Sequence, residues 1–206
     1  MQAARNFLIQ ITLLHSTKPV VSRLLSIPPS VTFSQLHWAI AASFNYKAED
    51  IQDGDYIIPC FYVFEASQNH KPHGLRENTL SLWPCGDNYG EDGEAGEVLD
   101  AHSTEVIKVF DGQEGFRYCE KRFRYTFHET DHIEHSLQIL GRAAENTKGK
   151  IVCVAGLGST ALADWKQMTD GKPQRGPSTW KLDLGEVNLR LAELQKGWSY
   201  ADSARL

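Results

Sequence analysis

Phe7-Leu-Ile-Gln-Ile-Thr-Leu-Leu14 is a run of large and β-branched apolar residues and predicts a strand. A second apolar run, Val20 to Ile27, follows a turn at Thr17-Lys18-Pro19 and is ended by Pro28-Pro29. Thr32 then opens a helix, because Thr32 and Gln35 have the spacing of a capping box. Phe33, His37, Ile40 and Phe44 recur at i, i+4, i+7 and i+11 and share one face of it. Ile57 to Phe64 is the next strand expected.

From Ser67 to His102 the periodicity is lost and Gly, Pro, Asn and acidic residues accumulate, most densely between Cys85 and Glu97. We read residues 67–102 as an acidic, Gly-rich loop or disordered insertion. The carboxylates there do not form a calcium loop: counting from Asp87, the third position is Tyr89 and the twelfth Val98. Order resumes at Val106 to Phe110, and Phe123-Arg-Tyr-Thr-Phe127 alternates aromatic with polar like a half-buried strand. Ile151 to Ala155 is a short apolar run entering Gly156-Leu-Gly158. Asp183 begins the last helix with Glu186 three residues on, Val187, Leu191 and Leu194 form its stripe, and Gly197 is expected to stop it, leaving 198–206 as a tail.

Helices and strands are interspersed and the strands meet at short turns, so the expected fold is α+β with a mainly antiparallel sheet in a single domain, residues 1–206. The 206 residues, 41% hydrophobic and 23% charged, suffice for a core without staples. No apolar run is long enough for a membrane span. With 21 Lys+Arg against 26 Asp+Glu, a net charge of −5 does not favour a nucleic-acid partner. Cys60, Cys85, Cys119 and Cys153 stand far apart, as free thiols of a reducing compartment do, and no secretory pattern is seen. The expected location is intracellular, cytoplasmic by default; Ala204-Arg205-Leu206 resembles a peroxisomal address.

Two short motifs carry chemistry in outline. His128-Glu129-Thr-Asp-His132 matches His-Glu-x-x-His, in which two helical histidines share Zn²⁺ and the Glu serves a metal-bound water as base. Ile133, Leu137, Leu140 and Ala144 recur at helical intervals downstream, whereas the residues leading into His128 alternate like a strand. Ile151 to Ala161 contains Gly-x-Gly-x-x-Ala, the outward form of a dinucleotide fingerprint. Asp170 comes too early and Asp183 too late for the ribose-binding acid expected ~20 residues on, so a structural glycine turn is the reading.

Taken in order, the segments resemble the Ri-plasmid ORF-three-like family, also described as TnpR-like passengers of insertion elements. The resemblance rests on the Lys-Pro turn, Thr32-Phe-Ser-Gln-Leu-His37-Trp-Ala-Ile, Cys60-Phe-Tyr-Val-Phe64, Tyr125-Thr-Phe127 with Asp131-His-Ile-Glu-His135, Cys153-Val-Ala-Gly156 and Asp183-Leu-Gly-Glu-Val-Asn188. Cys60 stands where the family's third strand carries His, and Ile133 where it has Trp. The resemblance implies an α+β fold and no assigned reaction, and it sets His135 at the start of a strand.

The matched polar residues are His37, Cys60, Asp131, His135 and Cys153. A histidine on a buried stripe needs hydrogen-bond partners, and Asp131 is the type that would fix the tautomer of His37. We expect a polar cluster pinning helix to sheet, or a ligand pocket with Cys60 and Cys153 as soft metal ligands. If the residues converge as a pocket, the side chains of His37 and His135 should lie within one cleft and not on opposite faces of the sheet. The stretch Phe116 to Tyr125 alternates aromatic and basic residues and is the one concentrated positive run. The leading expectation is a non-enzymatic binding or interaction module, without a cofactor, for a protein or small ligand. The alternatives are a zinc-dependent hydrolase built on His128, Glu129 and His132, and a nucleic-acid-binding protein.

Overall fold

The structure, a computed structural model, describes residues 5–14, 16, 20–46, 62–67, 79–84, 96–111, 122–127, 133–143, 149–158 and 181–203. Strands β1 (Phe7–Leu13) and β2 (Ser22–Ile27) pair antiparallel, with Phe7 opposite Ile27 and Ile11 opposite Arg23. They are joined in one sheet by β3 (Tyr62–Ser67), β4 (Thr79–Trp83), β5 (Gly96–Asp100), β6 (Arg122–Phe127), β7 (Ile133–Arg142) and β8 (Val152–Leu157). The order across the eight-stranded sheet is β5-β4-β3-β6-β7-β1-β2-β8. Every described neighbour pair is antiparallel except β4 with β5. The α+β expectation is met.

One face of the sheet carries the core. Phe7, Ile9, Ile11 and Leu13 of β1, Phe123, Tyr125 and Phe127 of β6, and Ile133, His135 and Leu137 of β7 are buried, while the residues between them are more exposed. That two-residue period is what a sheet covered on one side imposes. The cover begins with α1 (Phe33–Phe44). The expected capping box forms: Gln35 N–H donates to Thr32 Oγ1 at 3.2 Å, and Thr32 N–H donates to Gln35 Oε1 at 3.0 Å. Phe33 packs edge-on to Phe64 of β3 at 5.1 Å between ring centroids. The short helix α2 (Val106–Phe110) sets Phe110 against Phe7 and Phe123, each at 5.2 Å. Asp111 and Arg142 form an ion pair, and the Arg142 guanidinium also lies over the Phe7 ring.

The last helix, α3 (Leu184–Ser203), starts at Asp183, whose Oδ1 accepts from the Glu186 N–H at 3.0 Å. Val187 and Leu191 are buried on it. It does not stop at Gly197 as expected, so residues 198–203 are helix and not tail. The reason is that the stripe continues: Leu194 is half-buried and Trp198 packs against the core one turn further. A second difference lies within 67–102, where an aperiodic loop is expected and the sheet gains β4 and β5. Leu80 and Leu82 do alternate inward, but only two such positions fall in so short a strand. The acid-rich run 85–95 lies outside the described residues.

Candidate functional site

α1 carries His37 into the core against β3 and β6, where the ring is 0% exposed. Its Nδ1 is 2.7 Å from the hydroxyl of Tyr125 on β6, and its ring stacks on Tyr62 of β3 at 3.9 Å with 12° between planes. Asn45 ends α1 in the left-handed conformation, at φ 60°, and turns the chain so that Tyr46 folds back toward the sheet. There the Tyr46 hydroxyl meets Nε2 of His135 on β7 at 2.8 Å, and the Tyr46 ring stacks on Phe127 at 5.4 Å. His135 is also 0% exposed and pairs with Tyr125 across the β6–β7 ladder. The arrangement is reciprocal. The helical segment supplies a His to a strand Tyr, and a Tyr to a strand His.

Burial dominates the electrostatics. Desolvation lowers the pKa of His37 to about 3, with His102 adding a smaller push in the same direction. Desolvation also lowers His135 to about 3, against an opposing pull from the backbone carbonyls of Tyr125 and Ile133. Those carbonyls favour the charged ring without closing a hydrogen bond to Nδ1, which, like Nε2 of His37, has no hydrogen-bond partner among the described residues. Burial raises the Tyr46 hydroxyl, with Arg23 pulling back. At neutral pH all the members are therefore uncharged, and the two bonds are dipole to dipole. With both rings neutral, the two bonds tie the α1 segment to β6 and β7.

Cys153, on β8, is not with them. β1 and β2 stand between β8 and β7, a separation of roughly 14 Å at ordinary strand spacing. The Cys153 thiol is buried, donates to the Ala155 carbonyl at 3.3 Å, and has its pKa raised by that burial, with Arg23 acting in the opposite direction. Arg23 is the buried cation of this end, 2% exposed. Its Nε donates to Ser43 O at 2.9 Å, and one terminal nitrogen donates to Ser22 O, Leu157 O and Gly158 O at 2.8–2.9 Å. Desolvation lowers its pKa to about 10. Arg190 of α3 donates from Nε to Ala42 O at 2.9 Å, so two arginines from elsewhere meet the C-terminal carbonyls of α1.

Of the residues expected from sequence, His37 and His135 come together on one face, and Cys153 does not join them. Cys60 and Asp131 lie outside the described residues, and the bond found at Nδ1 of His37 comes from Tyr125. His128, Glu129 and His132 also lie outside them. On either side the chain is strand, with Phe127 paired to Ile133, and His135 is extended within β7. The helical spacing of Ile133, Leu137 and Leu140 is thus overridden by strand pairing. No group of three or more His, Cys, Asp or Glu that could hold a metal occurs among the described residues. In the aromatic–basic stretch, Phe123 and Tyr125 point into the core while Arg124 is exposed. Sequence reasoning missed Tyr46, Tyr125 and Arg23; the inward register of Tyr125 was readable from its alternation, but its pairing with a helix was not.

A family model described as plasmid pRiA4b ORF-3-like protein matches residues 5–170. The crystal structure of a protein of unknown function from Methanosarcina mazei Go1 is similar with a TM-score of 0.56 at 13% identity, over 90% of this chain and 97% of that one. At that identity the likeness is one of fold. No curated protein matches the chain. No helix among the described residues is long and apolar enough to cross a membrane.

Proposed function

The chain belongs to the plasmid pRiA4b ORF-3-like family, and on that premise we propose that it is a non-enzymatic binding module that recognises a protein or small ligand. The observation that carries this reading is the pair of His–Tyr bonds between the α1 segment and β6–β7. The two described histidines that sequence marks for chemistry are engaged in fixing a helix, and both are held neutral by burial. What remains for recognition is surface. With the helices on one side, the other side of the sheet presents Gln10, Thr12, Ser136 and Gln138 as cross-strand neighbours on β1 and β7, flanked by Arg124 paired with Glu134 at 3.5 Å. Short polar side chains and balanced charge on a pleated surface suit a protein partner better than a polyanion. Among the described residues, the aromatic rings of β6 point inward, away from the exposed Arg124. Descent from a mobile element and an intracellular, by default cytoplasmic, place of action belong to the same proposal.

The test is metal content. Purified protein is expected to carry no stoichiometric zinc, and its melting temperature should be unchanged by a chelator. Stoichiometric zinc that is lost on His128→Ala or His132→Ala would replace this reading with the hydrolase.

A further inference from the structure

β8 ends the described sheet, and an end strand presents a row of backbone N–H and C=O groups that invites another strand. Proteins usually blunt such an edge with a charge, a proline or an inward-pointing Lys. β8 has none of these: Val152-Cys-Val-Ala-Gly-Leu157 is uncharged, contains no proline, and exposes Val154 by 42% and Leu157 by 62%. Short, apolar, uncharged segments of this kind pair readily with copies of themselves.

The outward groups are nonetheless occupied. Asn188 of α3 accepts from the Cys153 N–H at 2.8 Å and donates to the Cys153 carbonyl at 2.9 Å. Gln195 accepts from the Ile151 N–H at 2.8 Å and donates to the Ile151 carbonyl at 3.0 Å. Each side-chain amide thus makes the two bonds that a residue of a neighbouring antiparallel strand would make. Ile151 and Cys153 are two apart, as the outward-facing positions of an antiparallel edge are, and Asn188 and Gln195 are seven apart on one face of a helix. A second Gln195 bond, from Nε2 to Leu191 O at 2.8 Å, holds that amide in its position. Past a register shift at Val154, the Cys153 thiol donates to the Ala155 carbonyl at 3.3 Å. α3 is fixed to the body by few apolar anchors: Val187 and Leu191 are buried, and Leu194 and Trp198 are partly covered.

We propose that α3 is a built-in occupant of the β8 edge, an autoinhibitory clasp whose amides take the place of a ninth strand and hold off a second copy of this chain. The second copy is the occupant because β8 against β8, antiparallel, closes on a two-fold axis and buries the same exposed Val154 and Leu157 from both sides.

The experiment compares the full chain with Asn188→Ala/Gln195→Ala by sedimentation velocity across concentration. The double variant is expected to stay folded and to shift toward twice the wild-type mass as concentration rises. In its monomer the Ile151 and Cys153 amides should exchange at least ~10-fold faster than in wild type. Adding Val154→Lys to the double variant should restore the wild-type mass, because a charge at the edge blocks strand addition and not general misfolding. A folded double variant with unchanged mass overturns the proposal, as does self-association that Val154→Lys leaves intact. Should the double variant not fold, Asn188→Ala and Gln195→Ala alone decide it by the same masses.

Discussion

Acid should unfasten α1 before it affects most of the rest of the fold. The unfolded chain presents His37 and His135 as ordinary imidazoles that titrate at 6.5, whereas in the folded chain both lie at about 3. Between those values the unfolded state binds the extra protons, so stability is intact above the unfolded pKa and falls as pH drops through the interval toward 3. Near pH 5 each ring has lost ~2 kcal/mol, about 4 kcal/mol for the pair, which is a large share of the ~5–15 kcal/mol typical of a domain. The groups facing the rings give little relief. His37 faces Tyr125, Tyr62, Trp38 and Phe127, with His102 as a further positive influence; His135 faces Tyr46, Phe44 and Tyr125. No carboxylate is among the causes that shift either ring. Asp100, held low mainly by its bonds with Ser103 and His102 against a desolvation that pushes the other way, adds its own loss at more acid pH, so the comparison stays above about pH 5. The assay is guanidinium denaturation at about pH 8 and pH 5 for wild type and for His37→Gln/His135→Gln. The variant starts less stable and should lose about 4 kcal/mol less between the two pH values. Equal losses would refute the reasoning, as would ring protons in the folded protein that titrate like those of a free imidazole in water.

Tyr125→Phe and Tyr46→Phe each remove a hydroxyl from a buried imidazole nitrogen, and each should cost about 1–3 kcal/mol in denaturant titration; a neutral result for both would remove the reciprocal pairs from the account of how α1 is held. Gly156→Ala would bring a Cβ to 2.6 Å from the Ser22 carbonyl oxygen and 2.7 Å from Leu182 Cδ2. Since the first of these is backbone, β8 must shift against β2, and the expected destabilisation is ~1–3 kcal/mol by the same titration; an unchanged midpoint would contradict that packing.

Much of this architecture can be read locally. The β1 run, the Thr32–Gln35 box and the alternation around Tyr125 each depend on residues within a few positions of one another, and each forms as expected. β4 does not announce itself, because an inward pair as short as Leu80 and Leu82 sets up no period and its partners β3 and β5 come from other parts of the chain. α3 outlasts Gly197 because Trp198 finds the core, which no local stop signal reports. The site divides in the same way. The place of His37 on an apolar stripe marks it as a buried polar group. That its partner is Tyr125, and that Tyr46 answers to His135, follows from the direction in which α1 crosses β6 and β7. Such a fact belongs to the tertiary structure alone. Arg23 is legible only as one charge within a strand; its four carbonyl partners come from β2, α1, β8 and Gly158 just after β8.

The end of α1 depends on distant parts of the chain. Its last turn contains no basic residue of its own, and the positive charge that complements its carbonyl end arrives from Arg23, twenty residues upstream of Ser43, and from Arg190, nearly 150 residues downstream of Ala42. A ribosome releasing this polypeptide would therefore have synthesised the helix long before half of its terminal support existed. The final turn should acquire its full persistence only when the opposite end of the chain docks, so its fraying reports when folding is complete.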